Sequence, residues 1–119
     1  ELTEFQTIST VPDGWSRGST AEIFVHPSGQ FLYASNRGHD SIACFHIHQG
    51  CGKLSLIDIE KTGGRTPRNF NLDPSGKWII AANQFSSDLH VFSINQETGA
   101  LDPAGGRLEI PNPVCVVFL

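Results

Sequence analysis

Two arginines, Arg37 and Arg68, are the residues of this 119-residue chain best suited to chemistry on an anion. A guanidinium is a permanently charged, planar fork of donors that meets a phosphate or carboxylate at two points. Each arginine has an asparagine beside it, in Asn36-Arg37 and in Arg68-Asn69, and Asn83-Gln84 forms a third polar pair. Glu22 supplies a carboxylate, which can serve as a general base or hold an arginine. Asn36, Asn83 and Gln84 can orient hydroxyl groups. The expected division of labour makes Arg37 and Glu22 catalytic, with Arg68, Asn36, Asn83 and Gln84 binding substrate. A plainer reading competes with it: an arginine next to a turn is usually solvated or paired, as Arg37 would be with Asp40.

Other chemistry finds less support. His26, His39, His46, His48 and His90 are spread along the chain without acidic company at ligand spacing, so no metal site is expected. His46 and His48 flank Ile47 and share one face of a strand, which an exposed surface explains. The three cysteines, Cys44, Cys51 and Cys115, form no CxxC pair and read as reduced thiols in a cytosolic protein. No GxSxG elbow is present, and the glycine pairs lack the following helix that a phosphate loop needs. No cofactor is expected. The net charge of −4 is spread out, with no lysine or arginine cluster to meet nucleic acid and no apolar run long enough to span a bilayer as a helix.

The elements that position these residues follow from an internal repeat. A shift of 47 residues lays Ser19–Ile57 on Thr66–Ala104 without a gap, so that Pro27 meets Pro74, Gly29 meets Gly76, Asn36 meets Asn83, Phe45 meets Phe92 and Leu54 meets Leu101. Each copy reads as four strands: Glu22–His26, Gln30–Asn36, Ser41–His48 and one from Leu54, then Asn69–Asp73, Lys77–Asn83, Asp88–Asn95 and Leu101–Ile110. Short runs bounded by Pro, Gly, Asn and Asp clusters are strand signals, and no stretch has the 3.6-residue apolar period of a helix. Four strands in a repeat of this length make a propeller blade, which buries its two faces only against its neighbours.

The expected fold is therefore all-β: a β-propeller fragment of about two and a half four-stranded antiparallel blades. Residues 1–18 should hold the last strand of a preceding blade and an inter-blade loop, 19–65 and 66–112 two complete blades, and 113–119 the inner strand of a further blade. The chain has no methionine, and its opening run reads as a strand already under way. Both observations suggest a piece of a longer protein, or one of several copies that close a ring. Open blade edges need covering by the remaining blades. In a radial blade successive connections alternate between two faces of the disc. The starts of the inner strands and the ends of the second strands share one face, which gathers Glu22, Asn36, Arg37, Arg68, Asn83 and Gln84 at the channel mouth.

The strings AEIFVHPSGQFLYASNRGHDSI and GGRTPRNFNLDPSGKWIIAANQ, with the closing PNPVCVVF, resemble the C-terminal portion of the seven-bladed 6-phosphogluconolactonase/cycloisomerase-type propellers. The resemblance runs from Leu2 to Phe118. It implies a cytosolic, metal-free hydrolase of a small anionic sugar-acid lactone, most simply the 6-phosphogluconolactone of the pentose phosphate pathway. It also implies site roles for Arg37 in the SNR segment, Glu22 in the AEI segment and Arg68 in the PRNF segment. Two alternatives remain: a carboxymuconate-type cycloisomerase, and a non-catalytic binding propeller. Trp15, in the loop from Thr10 to Thr20, is the residue that a partner surface would use.

Overall fold

The computed structural model describes all 119 residues and contains eight strands: β1 Ser19–Val25, β2 Phe31–Arg37, β3 Ser41–Ile47, β4 Leu54–Lys61, β5 Pro67–Leu72, β6 Trp78–Asn83, β7 Asp88–Ile94 and β8 Leu101–Glu109. They form two four-stranded antiparallel sheets in sequence order, β1 to β4 and β5 to β8. The turn chemistry explains why each sheet is a meander. Between β1 and β2 the chain reverses on a Gly29 N–H donating to His26 O at 2.8 Å, and between β5 and β6 on Gly76 N–H donating to Asp73 O at 2.9 Å. Both glycines stand at positive φ, 72° and 70°, where a Cβ would be strained. The polar residue ahead of each turn closes it. Asp73 accepts from Lys77 N–H at 2.9 Å and Trp78 N–H at 2.8 Å, and His26 Nδ1 accepts from Ser28 N–H at 3.1 Å.

The two sheets bury one face each against the other. Phe31, Tyr33, Ile42 and Cys44 from the first sheet pack with Phe70, Leu72, Ile79, Ala81, Phe92, Ile94 and Leu101 from the second, and Phe24 meets Phe70 edge to face at 5.6 Å. Burial also raises the Cys44 thiol to about 12, with Asp58 and Glu60 adding to the shift, so this sulfur stays protonated packing material. Two polar links cross the same interface: Tyr33 O–H donates to Gly99 O at 2.8 Å, and His26 Nε2 lies 2.7 Å from Gly76 O. The other face of the first sheet is an apolar trough of about 430 Å³, lined by Ile8, Ile23, Leu32, Ala34, Phe45 and Leu54 among others.

The terminal segments depart from expectation. Neither Leu2–Thr10 nor Pro113–Leu119 is a strand. A strand exists only through a ladder with a neighbour, and neither segment makes one. Side-chain amides hold them instead. Gln6 donates from Nε2 to Leu54 O at 2.9 Å and accepts from Leu54 N–H at 2.7 Å, standing in for a backbone partner. Asn71 Nδ2 donates to Val116 O at 2.9 Å. Cys115, expected in an apolar strand, is exposed, as is Cys51.

Candidate functional site

Backbone irregularities aim the candidate residues. In β1 the register passes from Thr20 opposite Asn36 to Ile23 opposite Ala34, so Ala21 and Glu22 share the single partner Ser35. This bulge leaves the Glu22 amide outside the ladder, and Ser35 Oγ accepts its N–H at 3.1 Å. In β5 Pro67 faces Asn83 and Asn69 faces Ala82, which makes Arg68 the extra residue of a second bulge. Its N–H closes back on Thr66 O at 2.7 Å. Thr66 has φ of 61°, a costly conformation for a β-branched residue. Three hydrogen bonds fix it there: Thr66 N–H donates to Asp40 Oδ1 at 2.9 Å, and Thr66 O also accepts from Gln84 N–H at 2.9 Å.

Arg37, Arg68 and Gln84 come together. With Gly18, Ser19, Gly38, Thr66 and Phe85 they line one hollow of about 300 Å³, and the two arginines also share a smaller hollow of about 220 Å³ with Thr20 and Ala21. Neither arginine is in an ion pair; the salt bridges of the chain join Asp88 to His90 and Arg107, and Arg107 to Glu109. Arg37 makes one long contact, Nη2 to Thr20 O at 3.4 Å, and its Nε is buried without a partner. The pairing with Asp40 does not form; Asp40 Oδ1 accepts the backbone N–H groups of Gly38 and Thr66. Two guanidiniums outside any ion pair, over one polar hollow, have the chemistry to meet an anion.

The other expected site residues sit elsewhere. Asn36 is buried and bonded at both ends: Oδ1 accepts Thr10 O–H at 2.6 Å, while Nδ2 donates to Thr10 O at 2.7 Å and Ser41 Oγ at 3.2 Å. In this arrangement it anchors the inter-blade loop through Thr10, with both Nδ2 protons engaged. Asn83 is likewise buried; its Nδ2 reaches Thr62 O at 3.4 Å, and it packs directly under Gly64. It belongs to a structural cluster around Asp88. Burial pushes the Asp88 carboxyl up, but hydrogen bonds from Ser86, Asn83, Arg107 and His90 hold it below the usual carboxylate range. Glu22 holds no arginine. Its Oε2 accepts from Asn69 Nδ2 at 2.7 Å and its Oε1 from Ile23 N–H at 3.0 Å, and it faces the apolar trough, which shares Thr20 and Ala21 with the smaller arginine hollow.

The chain matches the family model "Lactonase, 7-bladed beta-propeller" over residues 1–118. It is a member of that family. It is 38% identical to the 6-phosphogluconolactonase of Bacillus subtilis (strain 168) over 120 residues, all of this chain and 34% of that protein. Among solved structures, a protein from Lactobacillus plantarum is 32% identical with a TM-score of 0.89, covering 94% of this chain and 33% of that one. The Pseudomonas aeruginosa periplasmic gluconolactonase PpgL is 28% identical with a TM-score of 0.85, covering 92% and 31%. The chain thus spans about a third of the length of the lactonase propellers it matches. The matched stretch falls in the N-terminal part of the homologues, which corrects the expected C-terminal position.

Sequence reasoning missed Ser35 and Phe85 at this site, and it placed Asn69 beside Arg68 without giving it a role. Ser35 satisfies a bulge that no local pattern announces, and Asn69 joins Glu22 on β1 to β5 and to Val116 N–H at 2.8 Å. Phe85 lines the arginine hollow. For Phe85 a signal existed, since the repeat places it opposite Gly38 and a bulky aromatic replaces a glycine there. Trp15, 41% exposed, meets His39 edge-on at 4.8 Å and has Lys61 Nζ at 5.8 Å from its ring, so most of its surface is covered by its own surroundings. No group of three or more His, Cys, Asp or Glu side chains is placed to hold a metal ion, and no helix is long and apolar enough to cross a membrane.

Proposed function

We propose that the complete protein carrying this segment hydrolyses a small anionic sugar-acid lactone, with 6-phospho-glucono-1,5-lactone as substrate and 6-phosphogluconate as product. The observation that carries this reading is the pair of unneutralised arginines, Arg37 and Arg68, over one polar hollow. The Bacillus subtilis relative, named 6-phosphogluconolactonase, supports the substrate class. The guanidiniums clamp the phosphate, and Gln84 on the same wall orients a hydroxyl. Clamping converts a diffusing lactone into one held in fixed geometry.

In the chemical step the oxygen of water adds to the lactone carbonyl while a carboxylate takes its proton. The ring C–O bond then breaks, and the departing alkoxide is protonated to give the open hydroxy acid. Glu22 is our candidate for that carboxylate, oriented by Asn69 and bordering the same strand start as the arginines. The remaining blades of the ring cover the apolar trough on the first sheet and the exposed edge strand β8. We place the protein in the cytoplasm, where the phosphorylated sugar acid is made.

The test is hydrolysis of 6-phosphogluconolactone by the complete protein, measured above the spontaneous rate. Acceleration is expected, with a loss of kcat/KM on the order of tenfold to a hundredfold in Arg37→Gln, the range that a charge-assisted hydrogen bond supplies. A folded protein that gives no acceleration, or an Arg37→Gln variant as active as its parent, refutes the reading.

A further inference from the structure

We propose that Phe85 makes the arginine hollow selective for an anion that carries a ring, by offering its aromatic face to the ring's carbon side. The inference deepens the proposed function and rests on the anion-binding reading of that hollow. Phe85 is 65% exposed and stacks on no other ring of the chain. A phenylalanine left this exposed forgoes apolar burial, so a ligand that covers it recovers free energy that a bare anion does not. It lines the same hollow as Arg37, Arg68 and Gln84.

Hydrogen bonds fix the backbone that carries the ring. Phe85 N–H donates to Arg65 O at 3.2 Å, its neighbour Gln84 N–H to Thr66 O at 2.9 Å, and Ser86 Oγ accepts Arg65 N–H at 2.8 Å. Ser86 O–H in turn donates to Asp88 Oδ1 at 2.8 Å. Three consecutive residues are thereby pinned to the inter-blade loop, and the ring projects from a rigid support. In the other blade the matching position is Gly38, which lies against Gly18 and leaves that side of the hollow open. The two blades therefore contribute unlike walls, one small and polar, the other carrying the aromatic face. A hollow of about 300 Å³ is at the lower end of the sizes that hold a small ligand.

Isothermal titration of the complete protein with inorganic phosphate and with glucose 6-phosphate tests this. Glucose 6-phosphate brings a sugar ring but no lactone to open. Phe85→Ala should weaken glucose 6-phosphate by about tenfold and leave phosphate within about twofold, whereas Phe85→Tyr, which keeps the face, should stay within about threefold for both. Equal losses for the two ligands in Phe85→Ala, or no loss for either, overturn the inference. Phe85-dependent binding of glucose 6-phosphate without any lactone hydrolysis would sink the lactonase reading and uphold this one. Parent protein that binds neither ligand would sink both.

Discussion

Replacing Gly18 with alanine should damage stability and anion binding together. Gly18 stands at φ of 99°, and a Cβ there would overlap the carbonyl oxygen of Arg37, with the carbonyl carbon and then the Gly38 Cα behind it. The backbone conformation alone costs an alanine about 1–2 kcal/mol. The overlap is with main-chain atoms, which cannot rotate aside as a side chain would, and forced shifts of that kind cost roughly 1–3 kcal/mol more. The sum is about 2–5 kcal/mol. The displaced group is the backbone of Arg37 itself, so its guanidinium is shifted in the hollow it shares with Arg68.

Gly14 is the control. It lies in the same loop at φ of 82°, but a Cβ there meets nothing within 4 Å. Gly14→Ala should therefore lose the conformational part alone, about 1–2 kcal/mol, and leave the arginines in place. Urea unfolding of the complete protein measures both costs from the midpoints, provided the slope stays constant, and phosphate titration reads the arginines. A Gly18→Ala protein no less stable than Gly14→Ala, with parental phosphate affinity, would refute the close approach of the two loops and the placement of Arg37 that depends on it.

Tyr33→Phe removes the O–H that crosses between the sheets to Gly99 O and leaves a carbonyl without that donor in a buried site; a loss of about 1–2 kcal/mol in urea unfolding is expected. No change would mean that the two sheets do not meet through this contact. His39 gives a pH signature. Burial lowers its folded pKa below the ordinary 6.5, Lys61 lowers it further, and Asp40 opposes them. The unfolded chain therefore binds the proton more readily, so the stability held by neutral His39 is complete above pH 6.5 and is lost as pH falls from there through the folded value. His39→Gln should flatten that part of the stability profile, and an unaltered slope would count against the buried neutral imidazole.

The blades were legible because their signals are local. Pro-Ser-Gly turns, period-two strands and the repeat that superposes Phe45 on Phe92 all lie within a few residues of what they control. Every expected internal strand forms, with ends moved by up to three residues. The site was legible only as a neighbourhood. Placing strand starts beside strand ends correctly gathered Arg37, Arg68 and Gln84. It could not say that Asn36 would bond Thr10, 26 residues away, or that Asn69, 47 residues away, would orient Glu22.

Sequence alone determined that this chain makes two antiparallel blades whose apolar faces must be shared, since strand alternation and turn residues are written in neighbouring positions. Tertiary structure alone decided which side chains remain free. Asp40 turns Oδ1 to two backbone amides and makes no ion pair with Arg37. The bulges at Glu22 and Arg68 arise from cross-strand register, and Phe85 reaches the hollow because its turn is pinned to a loop about twenty residues earlier. Hydrogen-bonding capacity is finite, and its allocation depends on groups that meet only after the sheets have formed.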